Sequence, residues 1–406
     1  MTDRIPLGYG RDADGQLLIA GQTAAHWVEQ AGDTPLFVYD RAMLSARVAA
    51  FRKAMPAGLR LHYAVKANPL PALVAHMAGL VDGLDVASAG ELQLALDAGM
   101  AAADISFAGP GKRDRELEAA IAAGAILHIE SASELERSGR IARRLGKRAR
   151  VALRVNPPFA LKGSGMRMGG MASPFGVDSA DAPAVLVAMA DPIFDVCGLH
   201  IFAGSQNLSE AALLESQRET VALVAELAAH APAPLPLVNL GGGFGVPYFP
   251  GDAPLDIEAL GAGLGAILEA RPERLRNTRF ALELGRWLVA EAGVYLCRIV
   301  DRKISGGETF LVTDGGLHHQ LAATGNFGTV IRRNYPIVNA SRDDGLRETA
   351  SVVGCLCTPL DRLGDKVSLP QSKVGDLIAL FMAGAYGRTA SPEAFLGHPP
   401  PREILV

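Results

Sequence analysis

Eight short apolar segments alternate with helical segments between residues 61 and 283, and this alternation constrains the fold more than any other feature. The predicted strands are Leu61–Val65, Leu84–Val86, Ile105–Ala108, Ile126–Ile129, Val151–Val155, Val196–His200, Pro236–Leu240 and Phe280–Leu282. The helices predicted between them include Ala89–Ala98, Asp114–Ala123, Ser131–Leu145, Glu210–Ala229 and Ile257–Glu269. Such alternation favours parallel strands joined by crossover helices. Eight units over about 250 residues predict a (β/α)8 TIM barrel, and an open doubly wound sheet is the alternative.

The chain changes character after residue 290, where helical periodicity becomes scarce. Five segments there predict a mostly antiparallel sheet: Val294–Asp301, Glu308–Thr313, Ala350–Gly354, a piece around Val367, and Leu377–Phe381. Residues 1–34 have the same short strand-like texture. We therefore expect an α/β protein with a barrel at residues 35–283. A β-sandwich or β-barrel-like second domain is expected from residues 1–34 and 284–406.

Composition and charge exclude several classes of function. The net charge of −4 gives no electrostatic reason to expect binding to nucleic acid or to an anionic membrane. The first ten residues have no apolar signal-peptide core, and no apolar run is long enough to span a membrane. The four cysteines, Cys197, Cys297, Cys355 and Cys357, form neither a disulfide ladder nor a metal-ligand spacing with histidines. These features predict a cytoplasmic protein without a metal site.

Polar residues follow the apolar strands at the points where the strands end. In a TIM barrel the active site is built at the carboxyl ends of the strands. The residues at those ends are Lys66, Asp85, Ser88, Lys112, Glu130, Arg154, Asn156, His200, Gly241 to Gly243, Glu283 and Arg286. The contrast between apolar strands and polar ends predicts an active site at this edge.

Lys66 ends the first predicted strand, and Asn68-Pro69 breaks the strand pattern directly after it. A lysine at the end of a buried strand loses solvation, which favours the neutral amine. A neutral amine attacks aldehydes, so Lys66 is a candidate for a Schiff base. The alternative is a lysine whose charged end reaches out to water.

Two further strand ends complement such a lysine. Gly241-Gly242-Gly243-Phe244-Gly245 follows the seventh strand, where successive backbone N–H groups can converge on a phosphate, although a flexible turn has the same sequence. Ser205 can add a hydroxyl donor. Glu283 can hold a protonated pyridine nitrogen, or it can pair with Arg286. A Schiff-base lysine, a phosphate loop and a carboxylate for a ring nitrogen are what pyridoxal 5'-phosphate requires.

Seven motifs in this order resemble the fold-type III pyridoxal-phosphate decarboxylases, the family of diaminopimelate, ornithine and arginine decarboxylases. The motifs are Tyr63-Ala64-Val65-Lys66-Ala67-Asn68, Asp85-Val86-Ala87-Ser88 with Glu91, Gly204-Ser205-Gln206, Gly241-Gly242-Gly243-Phe244, Glu283-Leu284-Gly285-Arg286, Cys357-Thr358-Pro359-Leu360-Asp361 and Gly384-Ala385-Tyr386. The resemblance covers nearly the whole chain. It implies an eight-stranded barrel with a β-domain made from both termini.

The resemblance also implies roles for individual residues. Lys66 is implied to carry the cofactor and Glu283 to bind its pyridine nitrogen. Cys357 and Asp361 are implied to reach the active site of the partner subunit, so a homodimer with shared active sites is expected. The implied phosphate ligands are Ser205, Gly241, Gly242, Gly243, Arg286 and Tyr386. The other expected cofactor-binding residues are Asp85, Arg154, His200, Phe202 and Gly285.

Three departures from the family pattern concern the substrate. Phe202 stands where these decarboxylases usually have a histidine stacked on the cofactor ring, and it can stack but cannot donate a proton. Thr358 stands where relatives that bind a distal ammonium have an acidic residue, so a free basic substrate is disfavoured. The Asp314-Gly315-Gly316 turn lacks the Arg-Pro and Tyr found after it in diaminopimelate decarboxylases, and Arg332 and Arg333 come later.

The segments 200–206 and 318–328 resemble a subgroup that decarboxylates glutamyl groups tethered to an acyl carrier protein. Homologues from exopolysaccharide and exosortase gene clusters belong to the same subgroup. We expect an α-decarboxylase of an amino acid or amino-acid derivative that uses pyridoxal 5'-phosphate. Cys357 is the candidate proton donor to Cα, and Asp314, Thr358 and Asp361 are expected to border the substrate.

Three other kinds of function remain open at this point. Diaminopimelate, ornithine or lysine decarboxylation proper is the nearest of them. An amino-acid racemase of related architecture would have an arginine at the pyridine nitrogen, so Glu283 disfavours it. A catalytically silent cofactor-binding homologue would be expected to lack Lys66 or Cys357, and this chain has both.

Overall fold

The computed structural model describes residues 5–163, 165–167, 169–249, 251–325 and 333–406. The chain divides into two compact units. The barrel unit comprises residues 47–246 and 254–288, and the sheet unit comprises residues 1–46, 247–253 and 289–406.

Eight parallel strands form the core of the barrel unit. They are β1 (Arg60–Ala64), β2 (Gly83–Val86), β3 (Ile105–Phe107), β4 (Ile126–Ile129), β5 (Ala149–Asn156), β6 (Phe194–Ile201), β7 (Leu237–Asn239) and β8 (Arg279–Leu284). Each strand pairs in parallel with the next, and β8 closes the sheet on β1 with Leu282 opposite Leu61. The predicted TIM barrel is therefore confirmed, and the open sheet is excluded. Two short strands, Val177–Asp178 and Met166–Arg167, pair with β5 and with Gly204–Ser205.

Within the described residues, seven helices connect successive barrel strands: α1 (Pro71–Ala78), α2 (Ala89–Asp97), α3 (Asp114–Ala123), α4 (Ala132–Leu145), α5 (Ala182–Ala188), α6 (Glu210–Leu227) and α7 (Ile257–Glu269). Of these, α1 and α5 are not among the helices predicted from sequence. Local caps fix where α2 and α4 begin. The hydroxyls of Ser88 and Ser131 accept hydrogen bonds from the backbone N–H groups of Glu91 and Glu134, three residues on. Among the described residues, no helix combines the length and apolar character needed to cross a membrane.

The sheet unit is built around the long strand Gly293–Ser305. Its other strands are Leu36–Tyr39, Glu308–Thr313, Ile337–Asn339, Arg347–Val353, Arg362–Pro370, Leu377–Leu380 and Arg402–Leu405, with a small separate sheet of Gly10–Arg11, Leu17–Ile19 and Gln22–Thr23. Helices Ala24–Ala31 and Arg41–Ala54 lie near the N-terminus, and helix Arg286–Val289 follows β8. Most pairs are antiparallel, as predicted. The exceptions are Thr309–Val312 against Ala350–Val353, and the last strand against Leu36–Tyr39.

The strand Leu36–Tyr39 lies in the sheet unit, although the barrel expected at residues 35–283 includes this segment. It is not among the eight strands predicted from sequence. In the structure it pairs with Gly293–Leu296 of the sheet unit, and its four residues are buried there. The boundary between the sheet unit and the barrel unit therefore lies after this strand, between residues 46 and 47.

Candidate active site

Lys66 lies in a single 3-10 turn, Val65–Ala67, directly after β1. The Tyr63 hydroxyl donates to the carbonyl of Asn68 at 2.8 Å and closes this turn. The turn packs tightly against Gly285, since a Cβ placed there would lie 2.8 Å from the Cβ of Ala67. Glycine at position 285 thus allows the segment after β8 to approach the lysine.

The side chain of Lys66 is exposed, which corrects the expectation of a desolvated amine. Its Nζ atom lies 5.8 Å from the ring centroid of Phe202, a half-buried residue. The residue is accessible to solvent at the carboxyl end of the barrel.

Glu283 and His200 form a buried pair at the ends of β8 and β6. The Oε2 atom of Glu283 lies 3.0 Å from Nε2 of His200, and the His200 side chain is 1% exposed. Burial opposes ionisation of Glu283, but the close contact with His200 and the charges of His200, Lys66 and Arg154 hold its pKa well below the usual range. The carboxylate is therefore ionised, as a partner of a protonated pyridine nitrogen must be.

His128 packs against His200, and sequence reasoning missed it as a site residue. The two ring centroids are 4.5 Å apart. Burial, followed by the nearby His200, lowers the pKa of His128 well below its ordinary value, so its ring is neutral. The only sequence signal was its position in β4, two residues before Glu130 and hence on the same face of the strand.

Asp85 at the end of β2 faces the barrel interior. It is 7% exposed and accepts a hydrogen bond from the hydroxyl of Ser106, and its Oδ1 lies 3.3 Å from Nδ1 of His62. Neither His62 nor Ser106 was predicted to belong to the site. The predicted contact of Asp85 with the cofactor stays a prediction.

Arg154 is held by a buried charge network at the ends of β4 and β5. Its Nη1 donates to Oε1 of Glu130 at 2.9 Å. Lys112 supports that carboxylate from 4.0 Å and pairs with Glu134 at 2.7 Å. Burial would raise the pKa of Glu130, but Arg154 and then Lys112 lower it. The network fixes one cation beside the carboxyl ends of the strands.

The glycine loop after β7 has the backbone that its sequence predicts. Gly241 and Gly243 have φ angles of 71° and 92°, which residues with a Cβ rarely adopt. The N–H of Gly241 donates to the side chain of Asn239 at 2.9 Å, so it is already engaged. Within the described residues the N–H groups of Gly242 and Gly243 donate to no protein acceptor. Those two donors suit a phosphate.

The neighbouring loop locks the glycine loop in place. The side-chain amide of Gln206 donates to the carbonyl of Val246 at 2.7 Å and accepts from its N–H at 3.2 Å. Ser205 precedes it and is half-buried. A hydroxyl and two backbone donors thus belong to two loops that are bonded to each other.

These residues fit pyridoxal 5'-phosphate. An exposed amine, an ionised carboxylate, and two backbone N–H groups without protein partners match an aldehyde, a pyridine nitrogen and a phosphate. Arg286 and Tyr386 are the other predicted phosphate ligands, and their roles stay predictions.

The predicted substrate residues lie in the sheet unit, where the structure gives two of them clear structural bonds. Asp361 is 3% exposed, and its two oxygens accept from the backbone N–H groups of Leu317 and Leu356 at 2.7 and 2.9 Å. Asp314 accepts from the N–H of Arg298 at 2.8 Å and from the hydroxyl of Thr34. Their contact with substrate stays a prediction.

Cys357 is exposed and Thr358 is half-buried. Of the two later arginines, Arg333 lies 3.9 Å above the ring of Phe249 and 3.8 Å from Asp252. Arg332 and residues 326–328 lie outside the described residues.

Comparisons with known proteins agree with this geometry. Residues 41–290 match the family described as "Pyridoxal-dependent decarboxylase, pyridoxal binding domain". The chain is 39% identical to L-glutamyl-[BtrI acyl-carrier protein] decarboxylase of Niallia circulans over 384 residues, which cover 92% of this chain and 89% of that protein. It is 31% identical to diaminopimelate decarboxylase of Aquifex aeolicus, covering 97% and 91%. The crystal structure of diaminopimelate decarboxylase from M. jannaschii superposes with a TM-score of 0.89 at 27% identity, covering 98% and 92%.

Proposed function

The chain belongs to the pyridoxal-dependent decarboxylases, and we propose that within this family it removes the α-carboxylate of a glutamyl group carried by an acyl carrier protein. Amino-acid decarboxylation with pyridoxal 5'-phosphate is the activity of the family and of this chain. The proposal concerns the substrate, the partner subunit and the residues that act on the substrate.

Thr358 is the observation that carries the substrate proposal. An α-decarboxylase needs a free α-carboxylate, so a tethered glutamyl group must be attached through its side-chain carboxyl. The thioester removes the charge at that distal end. A half-buried threonine, whose Oγ1 accepts from the N–H of Leu360 at 3.4 Å, suits a neutral distal group better than an ammonium. The 39% identity to a decarboxylase of this specificity supports the same conclusion.

Each residue of the barrel site has a proposed task. When bound, pyridoxal 5'-phosphate takes up the electron pair that departing CO2 leaves on Cα. Lys66 would hold the cofactor through its amine and would yield it to the substrate amine. Glu283 stays ionised and keeps the proton on the ring nitrogen, with His200 holding the carboxylate in place. Phe202 would pack against the cofactor ring.

The proposed phosphate ligands come from several loops. The N–H groups of Gly242 and Gly243 and the hydroxyl of Ser205 are the barrel-unit donors. Arg286 and Tyr386 complete the set by the family resemblance. Backbone N–H groups, hydroxyls and a guanidinium all donate hydrogen bonds to a phosphate dianion, and none of them has to lose its proton to do so.

We assign the return of a proton to Cα to Cys357 of the partner subunit. The segment 357–360 supports this assignment, because Cys357 is exposed and the apolar side chain of Leu360 is 59% exposed. An exposed thiol beside an exposed leucine suits a loop that a second subunit covers. The proposed enzyme is thus a homodimer with shared sites.

Decarboxylation of free meso-diaminopimelate is the second candidate. The identity of 31% over 97% of the chain and the TM-score of 0.89 to diaminopimelate decarboxylases favour it. It requires a partner for the distal ammonium and carboxylate in place of Thr358 and the missing Arg-Pro.

A CO2-release assay separates the two candidates. The cofactor-loaded enzyme is given a glutamyl thioester of an acyl carrier protein, meso-diaminopimelate, lysine, ornithine or arginine, with Lys66→Ala as the inactive control. We expect turnover of the thioester, with loss of the mass of CO2 from the carrier-bound acyl group. Turnover of diaminopimelate but not of the thioester would replace the proposed substrate with the second candidate.

A further inference from the structure

Three side chains with soft metal-binding atoms come together in the sheet unit, although they lie far apart in sequence. They are His318, Cys355 and His398, and one ligand atom from each lies within 4.8 Å of the others. The Sγ atom of Cys355 is 3.8 Å from Nδ1 of His398, and the ring centroids of His318 and His398 are 5.3 Å apart. The spacing of cysteines and histidines along the chain predicts no metal site. The three side chains become neighbours only in the folded chain.

His318 supplies an independent sign that a ligand belongs here. Its side chain is completely buried, yet neither ring nitrogen has a hydrogen-bond partner within the described residues. A buried polar atom without a partner is costly, and most such atoms in folded proteins are satisfied. A bound cation at one nitrogen would remove part of that cost.

The adjacent histidine shows why position 318 is the one available. His319 is also buried, but its Nδ1 is 3.0 Å from the hydroxyl of Tyr295 and its Nε2 is 3.1 Å from the carbonyl of Pro399. Both of its nitrogens are engaged. The bond to Pro399 also holds the neighbouring His398 beside the cluster.

Backbone bonds to one carboxylate connect the segments of His318 and Cys355. Asp361 accepts from the N–H of Leu317 with one oxygen and from the N–H of Leu356 with the other. Leu317 precedes His318, and Leu356 follows Cys355. One buried carboxylate therefore ties together the two segments that carry His318 and Cys355.

We propose that His318, Cys355 and His398 bind a zinc-class divalent ion. Two imidazole nitrogens and one thiolate form a donor set that favours zinc, and the absence of carboxylates from this triad disfavours magnesium and calcium. Tetrahedral zinc with bonds of about 2.0–2.3 Å places its donor atoms roughly 3.3–3.6 Å apart. The 3.8 Å sulfur–nitrogen distance is close to this. All three ligand atoms lie within 4.8 Å of one another, so binding requires the side chains to approach by up to roughly 1 Å. A water molecule would fill the fourth position.

The test measures zinc in the intact holoenzyme without a polyhistidine tag. Metal analysis after dialysis against a weak chelator should find about one zinc ion per chain. Zinc X-ray absorption should show one sulfur at about 2.3 Å and nitrogen neighbours at about 2.0 Å. Cys355→Ser and His398→Ala should each lose the ion, with affinity for added zinc reduced by roughly 100-fold or more.

Two matched variants control for incidental binding. Cys357→Ser removes an exposed thiol from the same segment, and His230→Ala removes an exposed histidine from the barrel unit. Both should keep the ion. Zinc content that is absent from the wild type, unchanged in Cys355→Ser, or bound without a sulfur neighbour would overturn the proposal. The absorption measurement on the wild type stands even if a variant fails to fold.

Discussion

At the residue scale, the charge of Glu283 connects folding to chemistry. Its carboxylate is buried against His200, and its pKa is held below the ordinary value of 4.5 in the folded protein. A depressed folded-state pKa means that the ionised form stabilises the fold at pH values above the ordinary pKa. That contribution is lost as the pH falls through the lower folded-state pKa.

Glu283→Gln should therefore lower the thermal midpoint of the cofactor-free protein at neutral pH. The difference from wild type should stay nearly constant down to about pH 5 and shrink below about pH 4.5. Turnover of the loaded enzyme should fall roughly 10²- to 10³-fold, since the amide does not keep the ring nitrogen protonated. Glu283→Asp is the control that keeps the charge and should recover part of both losses. A pH-independent difference in thermal midpoint would contradict the ionised carboxylate.

Thr358 offers a test of substrate specificity at a single position. Thr358→Glu restores the acidic residue that binds a distal ammonium in relatives. We expect kcat/KM for the tethered glutamyl group to fall roughly 10- to 100-fold, because an unpaired charge then faces a neutral thioester. Thr358→Ser keeps the hydroxyl that accepts from Leu360 and should change little. Equal kinetics of the glutamate variant and wild type would place Thr358 away from the substrate.

At the element scale, the glycine loop after β7 depends on the absence of a side chain at position 242. A Cβ at position 242 would lie 2.0 Å from the carbonyl oxygen of Glu283, so the loop passes against the strand that carries the central carboxylate. Gly242→Ala should lower stability by about 1–3 kcal/mol through this overlap. It should also weaken cofactor binding, because Glu283 and the donors at 242 and 243 shift together.

Gly265→Ala is the matched control for Gly242→Ala. Position 265 lies inside α7, and an added Cβ would meet only a side-chain carbon of Pro56 at 3.6 Å. Alanine in a helix interior is favoured over glycine by about 0.5–1 kcal/mol. The thermal midpoint should thus fall for Gly242→Ala and rise slightly for Gly265→Ala. In a cofactor titration, the affinity should fall for Gly242→Ala and stay unchanged for Gly265→Ala. Normal cofactor affinity in Gly242→Ala would remove the glycine loop from the phosphate site.

Elements with strong local signals could be read from the sequence to the residue. The helices Asp114–Ala123 and Ile257–Glu269 and the strand Glu308–Thr313 have the predicted bounds. Left-handed Gly124 ends the first of these helices, and Asp256 caps the second. The strand Leu36–Tyr39 has no local signal that separates it from a barrel strand. Its place is decided by distant partners in Gly293–Leu296.

The residues of the candidate site also fall into those that the sequence could predict and those that it could not. Lys66 and Glu283 could be found because they interrupt apolar strands at their ends. His62, Ser106 and His128 lie inside strands, where alternate residues face the barrel interior, and only the closed sheet shows which face that is. The exposure of Lys66 could not be predicted either, because it depends on the turn after the strand rather than on the strand itself.

At the scale of the whole molecule, contacts between distant segments decide what no sequence window contains. The zinc-class site proposed above joins residues from three loops of the sheet unit, and the spacing of its ligands matches no short metal motif. The proposed homodimer also depends on contacts that no short stretch of sequence contains. Within one chain, the exposed segment of Cys357 and Leu360 is the main observation that supports it.

Shared active sites make a distinct prediction for mixed dimers. Lys66→Ala alone should be inactive, and Cys357→Ser alone should be strongly impaired. In a dimer with one subunit of each kind, the subunit that keeps Lys66 receives an intact Cys357 from its partner. One of the two sites is then complete, so the mixed dimer should recover about half of the wild-type activity.

Co-expression of the two variants with different tags allows the mixed dimer to be isolated and assayed. If instead each site used the Lys66 and Cys357 of its own chain, both sites in the mixed dimer would remain defective, since each lacks one of the two groups. Activity no higher than that of the Cys357→Ser homodimer would therefore assign the thiol to its own subunit. A dimer of Lys66→Ala/Cys357→Ser paired with wild type is the control, because a shared arrangement leaves neither of its sites complete. Recovery in the first mixed dimer together with loss in the second would establish that Cys357 acts across the subunit interface.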